Sequence, residues 1–156
     1  MTTIIDGTAG ITFPSGSGTQ AAQSKVLQVV NATSVAVSTT STTYVSTGLT
    51  TSITPLFSTS KILVLFSAGI CSVASVTGEA ISFQIWRGGS SVVALVNHLY
   101  NGSASSPRSS ASFTYLDSPS TTSSTSYTIY FSSRLGNTVY MADSSTATLQ
   151  LLEIAA

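Results

Sequence analysis

His98, in the stretch LVNHLY, is the only imidazole in the chain, and Asp6, Glu79, Asp117, Asp143 and Glu153 are its only acidic side chains. An imidazole that takes the proton of a serine hydroxyl, steadied by an acid, is the minimal set for hydrolytic chemistry. Serine constrains nothing here, because Ser and Thr fill 55 of 156 positions and place a hydroxyl near any histidine by chance. The five carboxylates are scattered and mostly adjoin turns, so no spacing brings an acid to His98. His98 therefore reads as a strand-end histidine without a chemical role. No catalytic residue is assigned, and the chain is expected not to be an enzyme.

Metal and cofactor chemistry have no better footing. No His, Cys and carboxylate cluster has ligand spacing, and no glycine-rich loop leads from a strand into a helix to cradle phosphate, so neither a metal nor a cofactor is expected. The single cysteine, Cys71, has no partner for an internal disulfide and no basic neighbour in sequence, which makes it a small apolar filler rather than a reactive thiol. Sugar binding has more support, since an aromatic platform flanked by neutral hydroxyls and amides suits a glycan. Trp86, followed by Arg87, and Tyr100, followed by Asn101, stand near predicted loops and are the candidate glycan contacts. Glu153 lies in a closing run, STATLQLLEIAA, that alternates and then ends apolar. Its carboxylate either pairs with Arg134 or Arg87 inside the protein or sits at the surface.

Charge bounds the partners. Only 6% of residues are charged and the formal net charge is zero, against about 25% charged in an ordinary globular domain. Such a surface cannot hold nucleic acid electrostatically. It also offers little repulsion between strand edges, so an isolated β-domain of this composition would tend to stick to itself. A closed oligomer that hides edges and apolar patches is the expected remedy.

These residues must be positioned by strands. The most apolar passage, SKILVLFSAGIC, continues to Ala74 but is broken by Ser67, Gly69 and Ser72, and it falls short of the roughly 20 residues of a spanning helix. Its β-branched residues, Phe66 and Gly69 disfavour a helix of any kind. A central strand over 61–73, covered on both faces by the core and by a loop or a neighbouring subunit, fits instead, with Lys61 as a charge at its mouth. Further strands are expected over 26–37, 43–53, 80–87, 90–99, 111–117, 126–134, 138–142 and 146–154. Ile81, Phe83 and Ile85 alternate with Ser82, Gln84 and Trp86, and Tyr127, Ile129 and Phe131 with Thr128, Tyr130 and Ser132, which is the pattern of half-buried antiparallel strands. Turn residues between them, without helices, predict an all-β fold: an antiparallel β-sandwich, jelly-roll-like.

Residues 1–24 read differently, as an extended N-terminal arm ahead of a sandwich domain over 25–156. Ile4, Ile5, Ile11 and Phe13 sit between turn signals at Asp6-Gly7 and Pro14 to Gly18, which suggests a short hairpin and a flexible joint. Those four side chains are the expected docking residues of the arm, ordered when seated on a partner. The arm has neither the basic start nor the apolar segment of a secretory signal, so synthesis in a cytoplasm is expected.

Four segments, GTAGITFPSGSGTQ, KVLQVVNATS, GLTTSITPLFSTSKILVLFSAGI and NTVYMADSSTATLQLLEI, together resemble small β-sandwich virion proteins and fibre-tip domains of tailed bacteriophages. The resemblance runs over most of the chain but is compositional and loosely spaced. It implies a homotrimer built through sandwich faces, working on the outer capsid surface as a decoration or cement protein that clamps the major capsid protein of neighbouring capsomers. The alternative it implies is a tail-fibre or spike tip that contacts host surface polysaccharide. A fibre would need a long shaft, for which a chain of this length is expected to leave no room, so the capsid setting is the expectation.

Overall fold

The protein is described from a computed structural model for residues 25–156, together with the backbone of residues 4–6 and 10–12. Twelve strands are found and, among the described residues, no helix. They are β1 (Ile4–Asp6), β2 (Gly10–Thr12), β3 (Val26–Ser34), β4 (Val37–Thr39), β5 (Val45–Ile53), β6 (Lys61–Val73), β7 (Ala80–Arg87), β8 (Ser90–Tyr100), β9 (Arg108–Asp117), β10 (Thr125–Ser133), β11 (Val139–Met141) and β12 (Ala147–Ile154). The expected hairpin is present, with Ile4 opposite Thr12, Ile5 opposite Ile11 and Asp6 opposite Gly10. Phe13, and the side chains of Ile4, Ile5 and Ile11, lie outside the described residues.

Two antiparallel sheets form a sandwich. One runs β5-β10-β7-β8. The other is built around β6, which pairs with β9 along one side and with β12 and then β11 along the other, while β3 and β4 extend the line beyond β12 and β11. Alternation explains which faces meet. Ile81, Phe83 and Ile85 of β7 and Tyr127, Ile129 and Phe131 of β10 point inward against Ile62, Val64, Phe66 and Ala68 of β6, and all of them are buried. Phe66 joins the layers, with its ring centroid 5.3 Å from Phe83 and 5.2 Å from Phe113. Each buried isoleucine, valine or phenylalanine among them contributes about 1.5–3 kcal/mol by leaving water.

Two expectations change in detail. The strand expected over 26–37 is not one strand: β3 ends at Ser34 opposite Ala147, and β4 begins at Val37 opposite Met141. The chain changes partner strands there, so Val35 and Ala36 leave the ladder and Val35 is 71% exposed. β6 is central, as its composition suggests, but only one of its faces is closed. Leu63 and Leu65 on the opposite face are half-buried, and Ser67 and Gly69 are exposed.

Candidate docking face and distal cleft

The open face of β6 has a regular pattern. Leu63 pairs with Leu116 of β9 on one side and Leu152 of β12 on the other, and Leu152 pairs with Val29 of β3. One register row therefore carries Leu116, Leu63, Leu152 and Val29 across four strands, with Val29 58% and Leu116 50% exposed. The next row along the same face is mixed, with Thr114, Leu65, Gln150 and Asn31, and the one after it is Ser112, Ser67, Thr148 and Thr33. Apolar surface is thus concentrated at one end of the sheet, the end where the chain enters β3 from the arm.

A buried carboxylate shapes that same end. Glu153 is fully buried and accepts hydrogen bonds from Gln28 Nε2 at 2.6 Å and from the backbone N–H groups of Leu56 at 2.8 Å and Phe57 at 3.3 Å. Gln28 Nε2 also donates to the Thr54 carbonyl at 2.8 Å. The connection from β5 to β6 is held in this way, with Leu56 and Phe57 exposed. Burial pushes the Glu153 carboxyl up, but Gln28 and the loop amides outweigh it and leave the group below its ordinary range. Neither expectation for Glu153 is met: it is not at the surface, and no arginine pairs with it, since Arg87 pairs with Asp117 and Arg134 serves a turn. In a chain with so few cations, neutral N–H donors do the work of a counter-ion.

Asp117, also at the arm end, accepts from Tyr127 Oη at 2.7 Å, and Arg87 Nη1 reaches both of its oxygens at 2.8 Å. Burial, then the bond to Asp117, raises the Tyr127 phenol well above its usual value, so it stays protonated as a donor. An open cleft of about 290 Å³ beside Arg87 is lined by Gly88, Pro119, Thr121, Ser124, Thr125 and Ser126.

The opposite, distal end is organised by Glu79, which is also fully buried. Its Oε1 accepts from Ala80 N, Ser133 Oγ, Arg134 N and Leu135 N, and its Oε2 from the backbone and side-chain N–H groups of Asn137, all between 2.9 and 3.1 Å. Burial raises this carboxyl, and the hydrogen bonds from Asn137, Ala80 and Leu135 more than reverse that, to about 2. Arg134 Nη1 donates to the Gly78 carbonyl at 2.6 Å and its guanidinium lies 5.6 Å from the Tyr100 ring centroid. Gly78 has φ +88°, a backbone conformation that favours glycine, and a Cβ there would sit 3.2 Å from Arg134 Nη1, which would have to give by a few tenths of an ångström.

The two candidate glycan contacts are not brought together. Trp86 is near the arm end of β7, stacked on Tyr130 at 4.2 Å and 16°, with Nε1 donating to Gln84 Oε1 at 2.7 Å. Tyr100 pairs with Ala80 at the other end of β7, six residues and roughly 20 Å away along the strand. His98 has Nε2 at 2.9 Å from the Ser110 carbonyl, which makes that nitrogen the protonated one. Among the described residues no carboxylate is hydrogen-bonded to it. Cys71 is buried, and burial pushes its thiol up to about 11. Among the described residues no three His, Cys, Asp or Glu side chains gather as a metal site would require, and no helix is long and apolar enough to cross a membrane.

Sequence reasoning missed a second cleft, at the distal end. It has about 320 Å³ and is lined by Ser72, Val73, Ala74, Ser106, Arg108, Thr138, Tyr140 and Asp143. Its parts come from β6, β9 and the β11–β12 connection, which no local motif links.

No protein-family model matches this chain, and no curated protein matches it.

Proposed function

We propose that the protein is a non-enzymatic structural subunit of a tailed-phage virion, a homotrimeric decoration protein that clamps neighbouring capsomers on the outer capsid surface. The observation that carries this reading is the apolar row Leu116, Leu63, Leu152 and Val29, half-open across four strands at the end where the arm joins β3. An antiparallel sheet can leave one face to water, but that face is then ordinarily polar, whereas this row carries leucine and valine on the open face of β6. Here the second cover is left to another chain, and the exposed Leu56 and Phe57, held in place by Glu153, extend the same apolar end.

The mechanism is multivalent clamping. Each subunit supplies one arm, and three subunits joined through the apolar row present their arms at high effective concentration, so no single contact with the shell needs to be strong. Near-zero charge suits this purpose, because apolar contacts change little with salt. The resemblance of KVLQVVNATS and of NTVYMADSSTATLQLLEI to phage sandwich proteins supports the virion setting. Imaging of purified particles tests the reading: many copies spread over the head are expected, and copies confined to a tail tip would overturn it.

One observation favours the alternative, a glycan-binding tip. The Trp86 and Tyr130 stack stands beside Thr128, whose Oγ1 is 2.8 Å from Thr50 Oγ1, an aromatic pair bordered by neutral hydroxyls. Saturable binding of host polysaccharide, lost in Trp86→Ala, is the result that reading requires.

A further inference from the structure

We infer that the distal cleft between Arg108, Tyr140 and Asp143 is a binding site for a neutral pyranose sugar. It lies at the far end of β6 from the arm, with Ser72 eleven residues from Lys61, which is roughly 36 Å along the strand. Occupying it does not compete with docking at the arm end, and the inference holds wherever the protein docks.

Three features give the cleft its chemistry. The first is an ion pair with capacity to spare. Arg108 Nη2 donates to Asp143 Oδ2, and Ser72 Oγ donates to the same oxygen at 2.8 Å, while Oδ1 receives only a long contact from Ser144 Oγ at 3.4 Å. Oδ1 is therefore free to accept from a ligand hydroxyl. Arg108 is 53% exposed, and among the described residues its other guanidinium N–H groups have no protein partner. Donors and an acceptor side by side match two adjacent hydroxyls of a sugar ring, each of which both donates and accepts.

The second feature is the aromatic wall. Tyr140 is 38% exposed on β11 and lines the cleft, offering its ring to the C–H face of a pyranose. Ser106 and Thr138 add neutral hydroxyls. The volume of about 320 Å³ lies at the lower end for small-ligand pockets. The third feature is preorganisation. Asp143 is flanked by two residues in the left-handed region, Ala142 at φ 57° and Ser144 at φ 56°. Neither is glycine, so the backbone is held in a conformation that side chains disfavour. The Asp143 N–H is tied to the Ile70 carbonyl at 2.8 Å, which fixes where the carboxylate stands.

Neutrality of the ligand follows from the pairing. The cleft holds one cation and one anion already neutralised by each other, so a sugar acid would meet Asp143 without an unpaired arginine to offset it.

Isotope-labelled protein titrated with methyl glucoside, methyl galactoside and methyl mannoside, with glucuronate as the comparator, tests this by amide chemical shift. At least one neutral sugar is expected to move the amides of Thr138, Tyr140 and Asp143 saturably. Tyr140→Ala and Arg108→Ala should each weaken that binding by about ten-fold or more, and Ser90→Ala, an exposed position at the arm end of β8, should leave it unchanged. Tyr140→Ala breaks none of the hydrogen bonds that hold the Asp143 loop, so it carries the test if Arg108→Ala disturbs the loop. No saturable shift with any neutral sugar, shifts confined to the surroundings of Trp86 or Tyr100, or tighter binding of glucuronate would each overturn the assignment.

Discussion

Gln28 on β3 donates to Glu153 on β12 across 2.6 Å, and the same carboxylate takes the N–H groups of Leu56 and Phe57, so one buried group ties the edge of the sheet to an exposed apolar loop. Glu153→Ala should leave the Gln28 amide and the two loop N–H groups without their acceptor. The expected loss is about 2–3 kcal/mol in chemical denaturation, with faster amide exchange at Leu56 and Phe57. Unchanged exchange there would mean that the loop is held by other contacts.

Acid should act through Glu79. Its folded value of about 2 lies below the ordinary 4.5, so its contribution is complete above pH 4.5 and is lost as pH falls toward 2. The shift corresponds to on the order of 3 kcal/mol. Glu153 and Asp143 are lowered as well and act in the same direction. Melting temperature should fall steeply between pH 4.5 and 2 in the wild type and less steeply in Glu79→Gln, which starts from a lower stability at neutral pH. Parallel profiles for the two proteins would remove Glu79 from this role.

Alkali should act through Tyr127. Burial and the bond to Asp117 raise its phenol above the ordinary 10.0, so its stabilisation is intact below pH 10 and is lost as pH rises beyond it. Tyr127→Phe is expected to cost about 1.5–3 kcal/mol at neutral pH, the value of a hydrogen bond to a charged group, and to flatten the alkaline limb of the stability curve. A steep limb retained in the variant would assign it elsewhere.

Removing residues 1–24 should leave the sandwich folded, because β3 is paired with β12 from Val26 to Ser34 and Ala155 N bonds to the Lys25 carbonyl. Co-sedimentation with capsid particles is expected to drop while the oligomer persists. Loss of the oligomer itself would make the arm part of its core.

The strands were legible because period-2 alternation is a local signal: ISFQIWRG and SYTIYFSS each announce which side chains face inward. The break at Val35 was not legible, because it depends on which strand β3 leaves and which β4 joins, and the sequence over 26–37 carries no mark of either. The carboxylates were harder still. Glu79 finds its donors at residues 133–137 and Asp117 finds Arg87 thirty positions earlier, partnerships set by sheet order rather than spacing. Glu153 drew the expectation of either an arginine partner or a surface position because a buried charge suggests a counter-charge, whereas Gln28 and two backbone amides satisfy it inside the protein. The distal cleft was missed for a similar reason. Arg108 and Asp143 are 35 positions apart, and the left-handed turn at Ala142 and Ser144 lacks the glycine that would have announced it.

The solution mass measured by light scattering tests the central claim most directly, that the half-open apolar row is covered by copies of the same chain. A trimer of about 48 kDa, three times the 16.0 kDa chain, is expected to survive moderate salt, and Leu116→Asp combined with Val29→Asp should reduce it to folded monomers. A monodisperse wild-type monomer of 16.0 kDa would contradict the account.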